Sequence, residues 1–124
     1  MTVIETKNAP GAIGPYSQGY AFGDLIITSG QIPVDPAAGT VPEGIAAQAE
    51  QSCKNVGAIL EAAGSGFDKV VKTTCFLADM GDFAVMNEVY ASQFEGAFPA
   101  RSAVAVKTLP KNGLVEIEVI AMKE

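Results

Sequence analysis

Twice along this chain the hydrophobic period changes from two to three or four and back again, and that alternation limits the architectures open to it. Ile45, Ala49, Cys53, Val56 and Leu60 recur at helical spacing, as do Phe83, Met86, Tyr90 and Phe94. Each set is the apolar stripe of a helix lying on a core. The first helix is expected over 44–63, with Gly64 as its C-terminal cap and Gln48, Gln51, Lys54, Asn55 and Glu61 on a solvated face. The second starts from the carboxylates of 79–82 and ends near Gly96. Strand-like runs surround them at 2–5, 20–22, 25–28, 70–77, 102–108 and 115–122. The strand beginning at Leu25 is expected to continue through LIITSGQIPVD, interrupted at Ser29-Gly30. This order predicts an α+β fold in one domain spanning 1–124, a mixed β-sheet of about six strands with two helices packed on one face. The other face is then expected to meet another subunit.

Charges within the strand runs require a reason. Arg101 follows a Phe-Pro-Ala corner, and Pro99 stiffens the approach to it. It either sits in solvent or pairs with a neighbouring carboxylate, or it is an anion receptor whose guanidinium fork grips a carboxylate at two points. Glu116 and Glu118 lie at strand spacing among Val115, Ile117 and Val119, so partial burial is expected for both. Were the last two strands a simple hairpin through Leu109-Pro110-Lys111-Asn112-Gly113, Arg101 would pair near residue 121. Glu116 would then lie roughly 17 Å away along the strand. A shared site therefore needs either a less simple pairing or two chains, and the second is the favoured reading.

Three further positions carry open readings. Tyr16 lies in the turn-rich NAPGAIGPYSQG segment and is either a lid on the core or a site residue. Ser29-Gly30 marks either a bulge serving curvature or a close approach of backbone to a ligand. Asn87 falls outside the apolar stripe of its helix, facing solvent or a site.

Composition narrows the chemistry. Histidine is absent, which removes Ser-His and Cys-His pairs and histidine-ligated metals. Cys53 and Cys75 belong to no metal-binding spacing and read as buried free thiols. No cofactor and no metal site is expected, so acid–base work falls to carboxylates, Tyr, Lys or held water. A net charge of −6 with only eight scattered basic residues argues against a nucleic-acid partner. No apolar run approaches the roughly 20 residues of a membrane span, and no secretory signal is visible, so a cytoplasmic protein is expected.

IGPYSQG at 13–19, ITSGQIPVD at 27–35, FPARS at 98–102, LPK at 109–111 and EIEVIA at 116–121 together resemble the RidA (reactive intermediate deaminase A, or YjgF) family, and the likeness covers essentially the whole chain. The resemblance implies a chorismate-mutase-like fold and a homotrimer with inter-subunit sites. It also implies hydrolysis of reactive enamine/imine intermediates, 2-aminoacrylate and 2-aminocrotonate with their imine forms, to 2-keto acids and ammonia. It assigns the carboxylate-binding arginine to Arg101, the water-handling glutamate to Glu116 and the tyrosine to Tyr16. Ser29, Gly30 and Asn87 are assigned to substrate contacts. Many members carry cysteine where this chain has Ala103, so thiol chemistry there is lost while a role for the residue 103 backbone amide survives. The alternatives are a non-catalytic binder of small keto or amino acids that regulates in response to them, and an endoribonuclease or translation inhibitor.

Overall fold

A computed structural model describes all residues from Met1 to Glu124. The strands are β1 (Thr2–Ile4), β2 (Gly19–Phe22), β3 (Leu25–Thr28), β4 (Val70–Leu77), β5 (Ala100–Ala105) and β6 (Val115–Met122); the helices are α1 (Ile45–Ala62) and α2 (Phe83–Ala91). They build the expected mixed sheet of six strands, in the order β1-β2-β3-β6-β4-β5. β2 and β3 form a hairpin across Gly23-Asp24, with Gly23 at φ 55°. α1 carries the chain from β3 to β4, and α2 from β4 to its parallel neighbour β5. Both crossovers move the same way along the sheet, and two right-handed crossovers in one direction place both helices on one face.

That face holds the core. Ile26, Val56, Ile59, Leu60, Leu77, Met86, Val115 and Ala121 are fully enclosed, each of the larger ones contributing about 1.5–3 kcal/mol by burial. α1 stops where Gly64, at φ 79°, lets the Ser65 amide return to the Leu60 carbonyl at 2.9 Å while its own amide reaches Glu61 at 2.9 Å. Asp79 accepts from the Gly81 amide at 2.8 Å, capping the turn that leads into α2. The uncovered face of the sheet keeps Val3, Tyr20, Phe22, Ile27 and Val104 exposed.

Several expectations are corrected. The last two strands are not a hairpin: β4 lies between them, antiparallel to β6 and parallel to β5. The alternating residues Val115, Ile117, Val119 and Ala121 are all buried, and a strand so apolar on one face removes more surface from water inside the sheet than at its edge. The chain between β5 and β6 therefore crosses the end of β4, using Lys111 and Asn112 at positive φ to turn. β5 starts at Ala100 and ends at Ala105, earlier than 102–108, because its ladder partner β4 runs out at Leu77. Arg101 thus lies inside the strand. β3 ends at Thr28, beyond which only Gln31 bridges to Ile117. β1 ends at Ile4, and α2 ends at Ala91 with Phe94 beyond it. Gln48 and Asn55 are buried, not solvated. They supply partners for backbone groups of neighbouring loops that no ladder satisfies.

Candidate active site

Arg101 is half-buried on the helix-covered face of β5, in register with Thr73 of β4 and, across it, Val119 of β6. Its guanidinium lies 4.8 Å from the ring centre of Tyr90 and 5.4 Å from that of Phe83. One N–H donates to Asn87 Oδ1 at 2.7 Å. Tyr90 is itself held by a 2.7 Å hydrogen bond between its hydroxyl and Thr73 Oγ1. Stacking on two rings and a short bond to Asn87 fix the plane of the guanidinium. The ion pair reading is not realised, since the one pair within 4.0 Å in the chain joins Lys69 and Asp68. Arg101 therefore retains donors for an incoming anion, at the wall of an open pocket of about 330 Å³ lined also by Tyr90, Ala91, Phe98 and Pro99.

Glu116 lies on the uncovered face, in register with Phe76. Burial raises the pKa of its carboxyl above the ordinary glutamate value, and the Glu118 carboxylate two residues along the same face raises it further. The carboxylate rests on Gly30: a methyl group there would lie 2.7 Å from Glu116 Cδ and 3.0 Å from Cγ. Between the Ile27–Ile120 pair and the Gln31–Ile117 bridge, β3 and its extension have three residues (28–30) where β6 has two (118 and 119). Ser29-Gly30 is thus a bulge, and its Gly30 backbone lies against the Glu116 carboxylate of the same chain. Thr28 Oγ1 takes the Val119 amide at 3.1 Å where the ladder is interrupted. Gly30→Ala is expected to cost about 1–3 kcal/mol by overpacking, measured by urea denaturation. Adding Glu116→Ala, which removes the obstructing carboxylate, should recover most of that loss.

Ser29 Oγ donates to the Ser17 carbonyl at 2.6 Å, and its amide to Gln18 O at 2.9 Å, tying the bulge to the loop that carries Tyr16. Tyr16 is about half exposed, so it is no lid on this chain's own core. Ala103 lies two residues beyond Arg101 on the same face, opposite Cys75. Both cysteines are free and buried, and burial pushes the Cys53 thiol up to about 12 and raises that of Cys75, so neither is a ready nucleophile. No three His, Cys, Asp or Glu side chains converge where a metal could be held.

The predicted residues therefore form two groups. Arg101, Asn87 and Ala103 lie together at the α2 edge, and Glu116, Gly30 and Ser29 lie together by the uncovered face. Arg101 and Glu116 are two strands apart across the sheet and three residues apart along it, roughly 14 Å between backbones, and their side chains leave opposite faces. Within one chain they do not meet. Sequence reasoning misses Tyr90 and Phe83 as site residues because their apolar spacing reads as core packing, and Thr73 because it sits in a β-branched strand run; Phe98, three residues before Arg101 in FPARS, is the available signal for a wall of this pocket.

A family model described as endoribonuclease L-PSP matches residues 6–123. The chain belongs to this family. Its likeness to the RidA/YjgF group extends to named relatives. The chain is 54% identical over 123 residues to the 2-iminobutanoate/2-iminopropanoate deaminase of Salmonella typhimurium, covering 97% of this chain and 96% of that protein. The fold is that of the YjgF gene product from E. coli, known from a 1.2 Å crystal structure, with TM-score 0.97, 53% identity and full coverage of both chains. E. coli TdcF, solved with bound serine, is similar at TM-score 0.97 and 46% identity, again over the whole of both chains. RidA motifs in this chain map onto both residue groups, FPARS onto the arginine pocket and ITSGQIPVD with EIEVIA onto the glutamate bulge. No helix is long and apolar enough to cross a membrane.

Proposed function

We propose that this chain hydrolyses the enamine/imine intermediates 2-aminoacrylate/2-iminopropanoate and 2-aminocrotonate/2-iminobutanoate to 2-keto acids and ammonia, in clefts between copies of a homotrimer. The observation that carries this reading is a guanidinium oriented by two rings and an amide with no carboxylate of its own. Such a group is preorganised for a small organic anion. The deaminase name of a relative 54% identical supports the reaction, and serine bound to TdcF supports a ligand bearing an α-carboxylate.

In this reading Arg101 binds the substrate carboxylate through paired N–H donors and orients the planar C=N group. Glu116 of a neighbouring copy takes a proton from water as its oxygen attacks the imine carbon. With the imine nitrogen protonated at the outset, Glu116 then passes that proton to the carbinolamine nitrogen and takes the hydroxyl proton as the C–N bond breaks, releasing ammonia and leaving the ketone. A glutamate whose pKa is raised by burial is better matched to both proton transfers near neutral pH than an ordinary one. Tyr16 closes the cleft from a neighbouring copy, and the Ser29-Gly30 and Ala103 backbones offer polar contacts. The uncovered sheet face, with its exposed Val3, Tyr20, Phe22 and Ile27, is the surface that the copies bury against one another.

The test generates 2-iminobutanoate with a dehydratase and follows keto-acid formation. Glu116→Ala is expected to lower the rate by about a hundredfold or more, the usual contribution of a positioned acid–base group. Its affinity for a 2-keto acid, measured by calorimetry, should stay within a few-fold of the parent. A parent protein that binds the keto acid but raises the rate no further than the uncatalysed reaction would leave a binder of small acids. The rate should also fall on acidification, with the midpoint above that of an ordinary glutamate, because the carboxylate is the active form and burial opposes its ionisation. The family description names an endoribonuclease; that activity would require RNA binding that weakens with salt, in a chain of net charge −6.

A further inference from the structure

Glu116 is held in place by more than its own strand. Asn55 of α1, fully buried, donates to the Ile32 carbonyl at 3.2 Å and the Val34 carbonyl at 2.9 Å. Those residues lie two and four positions after Gly30, and Gln31, next to Gly30, is locked to Ile117 by a bridge with N···O distances of 2.8 and 3.2 Å. Two turns earlier on the same helix, buried Gln48 takes the Leu114 amide at 2.8 Å, two residues before Glu116, and donates to the Pro42 carbonyl at 3.0 Å. Gln51 donates to Asn55 Oδ1 at 2.9 Å and thereby fixes which end of the Asn55 amide faces the carbonyls. One helix face thus grips both backbone segments that meet at the contact between Gly30 and the Glu116 carboxylate.

We propose that Gln48 and Asn55 are positioning residues for the deaminase reaction, holding the Gly30 bulge and the start of β6 in the one spacing that seats the Glu116 carboxylate. The inference rests on Glu116 acting as the base. The Asn55 bonds are buried and made to backbone carbonyls, so Asn55→Asp leaves those carbonyls facing an oxygen and drives the loop away, whereas Gln48 holds β6 by accepting the Leu114 amide, a bond that Gln48→Met removes at similar side-chain size. Loosening the loop lets water reach Glu116 and moves its carboxyl back toward ordinary behaviour. Within the chain Glu118 is the one charged group acting on it, since Phe76 and Thr74 of β4 and Gly30 of the bulge carry none; across the proposed cleft it also faces Arg101 of a neighbouring copy, in parent and variants alike.

The experiment compares Asn55→Asp and Gln48→Met with the parent, in full-length protein, well below the unfolding temperature of each. The expected result is a fall in kcat on the order of tenfold, as for a small misplacement of a reacting group, with KM little changed and the acid limb of the kcat profile moved to lower pH. In a Glu116→Gln background the same substitutions should add no further loss. Where Asn55→Asp unfolds the chain, Gln51→Ala, which only frees the Asn55 amide to turn, should move the acid limb in the same direction by a smaller amount. A folded Asn55→Asp or Gln51→Ala protein with the parent's pH profile overturns the proposal. So does a loss in the Glu116→Gln background as large as in the parent. Failure of the base itself is read separately, from an unaltered rate in Glu116→Gln alone.

Discussion

Arg101→Ala is expected to lower kcat/KM for 2-iminobutanoate by roughly a hundredfold or more, the equivalent of about 3 kcal/mol for a charge-assisted contact made in a partly desolvated pocket. The guanidinium has a single side-chain hydrogen bond and no ion pair in this chain, so removing it strands no buried carboxylate. Stability should therefore change little, by about the 1 kcal/mol of the stacking contacts with Tyr90 and Phe83. Arg101→Lys is the sharper comparison. An ammonium keeps the charge but offers no planar fork, stacks less well on the two rings, and cannot bind Asn87 and a substrate carboxylate in one plane. Most of the loss should persist, appearing mainly in KM if binding alone suffers and in kcat as well if the imine is no longer oriented. Parent-like activity in Arg101→Ala, measured by keto-acid formation beside a dehydratase, would refute the clamp.

Mixing two inactive proteins should restore activity. Arg101 and Glu116 leave opposite faces of one sheet, so under the proposed mechanism a working site takes its arginine from one copy and its glutamate from a neighbour. Unfolding Arg101→Ala and Glu116→Ala chains together in equal amounts and refolding them shuffles the copies. A site works when the arginine donor happens to be a Glu116→Ala chain and the glutamate donor an Arg101→Ala chain, which random assortment around a closed ring gives for about one site in four. The refolded mixture should therefore reach about a quarter of parent activity, while either variant refolded alone stays inactive. A mixture that contains mixed oligomers by native mass spectrometry yet remains inactive would show that the two residues do not share a site across an interface. A chain that sediments as a monomer would be equally damaging, since it offers no second copy to complete the cleft.

Local signals carried much of this outcome. The periods of two and three to four located every strand and both helices, because side-chain direction follows directly from backbone geometry. FPARS and the carboxylates among the β-formers of Val115–Met122 singled out Arg101 and Glu116 as candidates, since charges in such runs are costly without a purpose. What the chain order left open was strand adjacency. Nothing in residues 98–122 says that β4 stands between β5 and β6, because that choice is made by how much apolar surface β6 covers in the sheet interior, a sum over partners far away in the sequence. The same holds for the polar residues of α1. Gln48 and Asn55 look like solvent-facing positions on a helical wheel, and only the packing of loops 31–34 and 112–114 against that helix turns them into buried donors and acceptors. By itself the sequence determined the elements, the single arginine and the acid; the tertiary structure decided which faces those residues occupy, because a face is set by register between strands that meet only after the chain has folded.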